Sequence, residues 1–192
     1  MNIQNETHES MVARIREGTL LLNSREEYEG LLERYPQRAS LYRALADFLV
    51  IQGDESDAIK IYQQAAELYL ETGRSLQAIV ATILSWSLLK PTHEQGRVFH
   101  SAIQAAIKPE TPLQSFFAAL SYPELVAVML RLVRIQYPAN HAIKKFGDIA
   151  DELFFIVTGD LKETTYLSEG GNLSDHKASV RQLSENDIFG DV

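Results

Sequence analysis

The chain has no cysteine. A disulfide framework, a thiolate nucleophile and a thiolate-bound zinc are therefore excluded. It also lacks a run of about 20 apolar residues, the length a helix needs to cross a bilayer. The longest nearly apolar run, AIVATILSWSLL at 78–89, is too short and is interrupted by Thr82, Ser85 and Ser87. The opening MNIQNETHESMVARI has neither the basic start nor the unbroken apolar segment of a secretory signal. A cytoplasmic chain is expected, so the Asn-x-Ser/Thr triplets at 5–7 and 172–174 read as chance. Positive charge is scarce as well. The formal net charge is −8, both halves share the acidic excess, and no basic face is implied that would attract a nucleic-acid backbone.

Signatures of catalysis are missing too. There is no Walker loop, no Gly-x-Ser-x-Gly elbow and no dinucleotide fingerprint, and Gly170-Gly171 sits in a polar run, EGGN, at 169–172. The five histidines, His8, His93, His100, His141 and His176, are scattered, with no i,i+4 pair of the kind a helical metal site uses. No enzymatic activity, no metal and no covalently bound cofactor are expected. What is present is the composition of a folded chain, 45% apolar, 9% aromatic and 23% charged, with length for one good core or two small ones.

From Ser10 to about Lys108 apolar residues recur at helical spacing, with Gly, Asp and Pro marking short gaps. Tyr42, Leu45, Ala46, Leu49, Gly53, Ala58, Tyr62 and Ala65 fall in a helix–turn–helix register. Shifted back by 34 residues, Met11, Val12, Ile15, Ser24, Tyr28, Leu31 and Pro36 occupy matching places, with Thr19 beside Gly18 where the turn glycine belongs. The spacing resembles the tetratricopeptide repeat. Small Ala46 and Ala58 let antiparallel helices approach, Tyr42, Leu49 and Tyr62 fill the space between pairs, Gly53 frees a turn, and Pro36 stops the helix before it. Tyr62, Ala65, Ala66, Tyr69, Gly73 and Ala78 make an overlapping motif. The later helices, about 59–71, 74–90 and 93–107, are therefore expected to stack without strict periodicity. Such stacks present a concave surface that in this family holds a peptide or protein partner; Tyr42, Tyr62, Tyr69 and Trp86 equally read as packing residues. The acidic face around Glu26, Glu27, Glu29 and Glu33 reads as solvated surface.

The run Lys108-Pro109-Glu110-Thr111-Pro112 marks a domain junction, giving a helical domain at 1–110 and a second domain at 111–192. LQSFFAALSYPELVAVMLRLV at 113–133 is helical by its spacing, with a helix start offered at Ser121 or Tyr122 before Pro123-Glu124. The period then shifts towards two. Strands are expected at 134–137 (RIQY), 141–146 (HAIKKF), along 152–167 around Gly159-Asp160, at 179–183 and at 187–189, with turns at Gly147-Asp148 and Asn186-Asp187. Short strands with such turns indicate a sandwich or barrel, so the fold class is α+β. Phe154 and Ile156 should face one side of their strand, and Phe155 and Val157 the other.

Over 113–192 the residues resemble the cyclic nucleotide-binding domain, a jelly roll. The likeness is carried by LSYPEL, RIQYPANHAI, FGD at 146–148, ADELFFIVTGDL at 150–161, the spaced Gly147, Gly159 and Gly190, and LSENDIFGDV at 183–192. The resemblance implies that Phe189, Gly190 and Asp191 open a phosphate-binding cassette. There the glycine admits the ligand, a glutamate accepts the ribose 2′-hydroxyl, and helix amides with an arginine about ten residues on hold the phosphate. Asp191 stands where the family has glutamate and is shorter by one methylene; a plain helix N-cap is the other reading of this residue. The remaining cassette, the arginine, the closing strands and the lid helix would follow Val192, so an incomplete site, a fragment of a longer protein, is expected. The function implied is a signal-responsive regulatory or adaptor protein in which cAMP or cGMP, bound in the complete domain, biases what the helical scaffold holds. The alternative is an interaction module whose jelly roll has lost its ligand.

Overall fold

The computed structural model describes residues 8–145, 147–149, 151–168 and 176–190. Among the described residues eight helices precede four strands: α1 (His8–Arg16), α2 (Arg25–Arg34), α3 (Ala39–Gln52), α4 (Glu55–Glu71), α5 (Ser75–Leu88), α6 (His93–Ala106), α7 (Pro112–Ala119), α8 (Tyr122–Met129), β1 (Phe154–Phe155), β2 (Leu161–Ser168), β3 (His176–Leu183) and β4 (Ile188–Phe189). The architecture is α+β. The chain divides into two compact units, Met1–Gln136 and Tyr137–Val192. Lys108–Pro112 joins α6 to α7 inside the first of these.

In the first unit α3 packs on α4 and α4 on α5. Small residues make this possible: Ala46, Ala58, Ala65, Ala78 and Ala81 are all fully buried. Large side chains fill the rest, with Tyr28, Leu41, Leu45, Leu49 and Tyr62 in one cluster and Tyr69 in another among the alanines. The turn between α3 and α4 depends on Gly53, whose φ of 83° is the left-handed conformation that closes a helix cheaply only without a Cβ. Between α1 and α2 the left-handed residue is Gly18, φ 72°, one position before Thr19.

Helix starts follow side-chain chemistry. Ser24 and Asp54 accept from the backbone N–H groups of Glu27 and Asp57. Thr92 with Gln95, and Thr111 with Gln114, form reciprocal capping boxes. Pro112 opens α7, and Ser121 precedes α8, where the Glu124 carboxylate accepts from the Ser121 N–H at 2.8 Å and from its hydroxyl at 2.6 Å. The apolar run at 113–133 is thus two helices with a sharp break. α8 closes on α6 through Gly96: the Tyr122 ring lies where a Cβ there would meet it at 3.1 Å, and the Tyr122 hydroxyl sits 3.1 Å from His93 Nδ1.

Among the described residues the strands are fewer than the period-two pattern predicts. Residues 134–137 form no strand. Arg134, Ile135 and Gln136 are all exposed, and what the alternation marks is two polar side chains, Arg134 and Gln136, that hydrogen-bond to the helical unit. The Asp47 carboxylate accepts from Arg134 Nη1 at 3.0 Å, and the Gly18 carbonyl accepts from Gln136 Nε2 at 3.2 Å. Residues 141–145 are irregular as well, following a turn in which the His141 N–H donates to the Pro138 carbonyl. The run at 152–167 is broken into β1 and β2 around Gly159.

Among the described residues the strands form two separate two-stranded antiparallel sheets, and no barrel is closed. β1 pairs with β4, Phe154 opposite Phe189 and Phe155 opposite Ile188. β2 pairs with β3 along their full length, from Leu161 opposite Leu183 to Ser168 opposite His176, with Arg181 reaching Glu163 across the ladder. Among the described residues of the second unit, Ile156 and Leu183 are the buried apolar side chains, at 6% and 1% exposure.

Candidate functional site

The segment expected to meet a ligand, Phe189-Gly190, is placed by a turn and a short ladder. In the turn Ser184–Asp187, the Asp187 carboxylate accepts from the Ser184 N–H at 2.8 Å, and the Asp187 N–H donates to the Ser184 carbonyl at 3.0 Å. Asn186 takes the third position with φ 74°, a conformation asparagine tolerates better than most residues. The chain then runs into β4, held by hydrogen bonds from the Ile156 N–H to the Asp187 carbonyl and from the Asn186 N–H to the Ile156 carbonyl.

A second turn has the same construction. The Asp148 carboxylate accepts from the Lys145 N–H at 2.8 Å, the Asp148 N–H donates to the Lys145 carbonyl at 3.0 Å, and the third position is Gly147 with φ 92°. Gly159 shares that φ. Both glycines open onto empty space, so they serve the turn alone.

Gly190 differs from them. With φ 109° it lies hard against the Glu152 carbonyl oxygen, and an added Cβ would also sit 3.5 Å from Leu153 Cα. Backbone meets backbone here, and neither can yield as a side-chain tip would. Phe189, one residue before, stacks on Phe154 at 4.7 Å between centroids and 10° between planes. Lys144 completes the surroundings: its ammonium lies 5.7 Å from the centre of the Phe154 ring and 2.7 Å from Glu152 Oε2. The Glu152 hydrogen bond raises the Lys144 pKa above the usual lysine value. β1 and the residues just before it therefore meet the Phe189-Gly190 segment directly. Asp191, the expected ribose contact, lies outside the described residues, as do Phe146 of the FGD turn, the EGGN loop and both Asn-x-Ser/Thr triplets.

Two hollows in the helical unit escaped the sequence reading. One, about 290 Å³, is lined by Leu22, Tyr28, Phe48 and Asp47 and flanked by Leu21 and Ile51, which are 64% and 72% exposed. Beside it Asp47 gathers three donors: the Tyr62 hydroxyl at 2.7 Å, Arg43 Nη1 at 2.6 Å and Arg134 Nη1. Burial, together with the Asp47 charge and hydrogen bond, pushes the Tyr62 phenol well above the ordinary tyrosine range. The other hollow is lined by Arg16, Arg38 and Arg74, residues separated by 22 and 36 positions, which no local motif could have joined. Among the described residues no cluster of three or more histidine and acidic side chains suits a metal ion, and no helix is long and apolar enough to cross a membrane. Comparison with protein-family models, with curated proteins and with solved structures finds no match to this chain.

Proposed function

We propose that the chain is a non-enzymatic, cytoplasmic regulatory protein of signal transduction. Its tetratricopeptide-like helical unit holds a protein or peptide partner, and its second unit is the leading part of a cyclic nucleotide-binding jelly roll answering to cAMP or cGMP. One observation carries the reading. Gly190 adopts a φ closed to side-chain-bearing residues, tight against the Glu152 backbone, at the end of a strand paired with β1. This is the Phe-Gly position that, by resemblance, opens the phosphate cassette, and glycine's role there is to let backbone come close. The positive φ of Gly147 and Gly159, at the two other glycines of the resemblance, adds support.

Leu21 and Ile51, exposed beside an apolar hollow, favour a second reading: an interaction module that works without a nucleotide. Calorimetric titration of cAMP and cGMP into the full-length protein separates the two. Saturable heat with either nucleotide supports the sensor; silence for both supports the ligand-independent module.

A further inference from the structure

We infer that the helical unit carries a self-complementary apolar surface through which two copies of the chain form a closed dimer. The surface surrounds the hollow of about 290 Å³ walled by the α1–α2 connection, α2 and α3. It lies wholly within the first unit. Neither a nucleotide nor a foreign partner enters the inference, so it stands apart from both functional readings.

The hollow and the side chains that can fill it belong to one patch. Leu22, Tyr28 and Phe48 make the floor; Tyr28 is fully buried and its ring packs 5.6 Å from that of Phe48, so the floor is set before anything binds. Leu21 and Ile51 stand on the rim, 64% and 72% exposed. A hollow of this size admits a leucine or isoleucine side chain, and the rim of a second copy offers both. Knob and hole on the same patch are what an isologous contact requires: each copy gives what the other receives, and the contact closes at two. The patch continues along the segment after α8. Arg134 bonds Asp47 on the wall of the hollow, and its neighbours Val133 and Ile135 are 80% and 55% exposed. The segment is held a second time by the bond from Gln136 to the Gly18 carbonyl, for which Gly18 leaves room, since a Cβ there would run into the Gln136 amide.

Area and charge select the occupant. Leu21, Ile51, Val133 and Ile135 together expose roughly 500 Å², the upper end of what a monomer shows in one apolar patch. Two such patches face to face bury roughly 1,000 Å², the size at which specific interfaces begin. The chain carries a net charge of −8, so two copies repel one another over most of their surface. Among the described residues lining the hollow Asp47 alone is charged, and it is bonded to Arg43 at 2.6 Å and to Arg134 at 3.0 Å. Asn23 and Gln52 add a polar, uncharged rim. With no uncompensated charge on its wall, the hollow has nothing to draw a charged ligand, and it is a face on which two acidic copies can meet without opposing carboxylates.

The test is analytical ultracentrifugation of the full chain from about 1 to 200 μM, the range in which micromolar association is read. A monomer–dimer equilibrium is expected. Leu21→Glu and Ile51→Glu, both at exposed positions, each set a carboxylate from either copy into the contact and should weaken the dimer at least about ten-fold. Val180→Glu, at a position of β3 that is 63% exposed in the second unit, should leave it unchanged. Raising sodium chloride from about 0.05 to 0.5 M screens the net repulsion and should leave the dimer as strong or stronger. Circular dichroism and thermal unfolding show that each variant is folded. A chain that stays monomeric up to about 200 μM leaves this surface to a foreign partner and overturns the inference. It is overturned equally by folded Leu21→Glu and Ile51→Glu variants that associate like the parent, by loss of association in Val180→Glu instead, by dissociation in salt, or by open-ended assembly in place of a dimer.

Discussion

Tyr62→Phe isolates the hydrogen bond at the centre of the helical unit. The Tyr62 hydroxyl donates to Asp47 Oδ1 at 2.7 Å from a residue only 3% exposed, while Asp47 keeps Arg43 and Arg134 in the variant. One charge-assisted bond is lost and its acceptor stays paired, so the cost near neutral pH should be about 1.5 kcal/mol. At alkaline pH the penalty should vanish. The folded phenol pKa lies above its unfolded value near 10, so this group's contribution is fully present below pH 10 and is lost as pH rises. Above about pH 10 the unfolded parent releases a proton that the folded parent retains, at about 1.4 kcal/mol per pH unit. The variant has no such proton. Parent and variant should therefore converge near about pH 11, one unit above the unfolded pKa. Tyr28, also raised by burial, contributes equally to both and drops out of the difference. Urea unfolding followed by the fluorescence of Trp86, the chain's single tryptophan and a residue of α5, reports the helical unit itself. A penalty that stays constant from neutral to alkaline pH would refute the reasoning.

Gly190→Ala should destabilise the second unit by about 2–3 kcal/mol, against about 1–2 kcal/mol for Gly159→Ala, which has a similar φ but open space. Amide exchange at Ile156 and Asn186, whose N–H groups tie β1 to the turn, should accelerate more in the former. The Glu124 pKa is lowered by bonds from the Ser121 hydroxyl and N–H, so its contribution is present above the unfolded value of 4.5 and is lost as pH falls through the folded one. Glu124→Gln, which can still close a capping box, should leave neutral stability little changed and flatten the acid limb of a stability–pH profile. Arg134→Ala should cost under about 1 kcal/mol, since the pair is partly exposed, yet speed tryptic cleavage after Arg131 by loosening the anchored segment.

The helices were legible because their signals are local. Alanine at 46 and 58, glycine at 53, and Ser121 ahead of Pro123-Glu124 each decide a feature within one or two turns of themselves. The Asn186-Asp187 and Gly147-Asp148 turns were legible for the same reason: an aspartate closes its own turn through a side chain three residues away. RIQY misled because alternation records only that alternate residues face one way. Here Arg134 and Gln136 are exposed residues hydrogen-bonded to Asp47 and Gly18 far away in sequence, and no strand partner is involved. The arginine-lined hollow was illegible altogether, because its three cations come together only when α1, α3 and α5 are stacked.

The placement of Phe189-Gly190 bears on how a ligand could act there. β4 pairs with β1 over two residues, reinforced by one stacked ring pair worth about 1 kcal/mol and by one turn. A ladder so short opens locally at a cost far below global unfolding. A bound anion shifts such an element only by the difference in its affinity for the two arrangements. A gap of a few kcal/mol lies within what two or three charge-assisted contacts supply. Gly190 narrows the arrangements further, since its φ and the Glu152 carbonyl allow the backbone one close approach and exclude any side chain from it. In the sensor reading this combination, a weak ladder bearing a sterically exact glycine, is what lets occupancy at the cassette alter β1. A ladder insensitive to cAMP and cGMP in amide exchange of the full-length protein would leave the glycine a purely structural role.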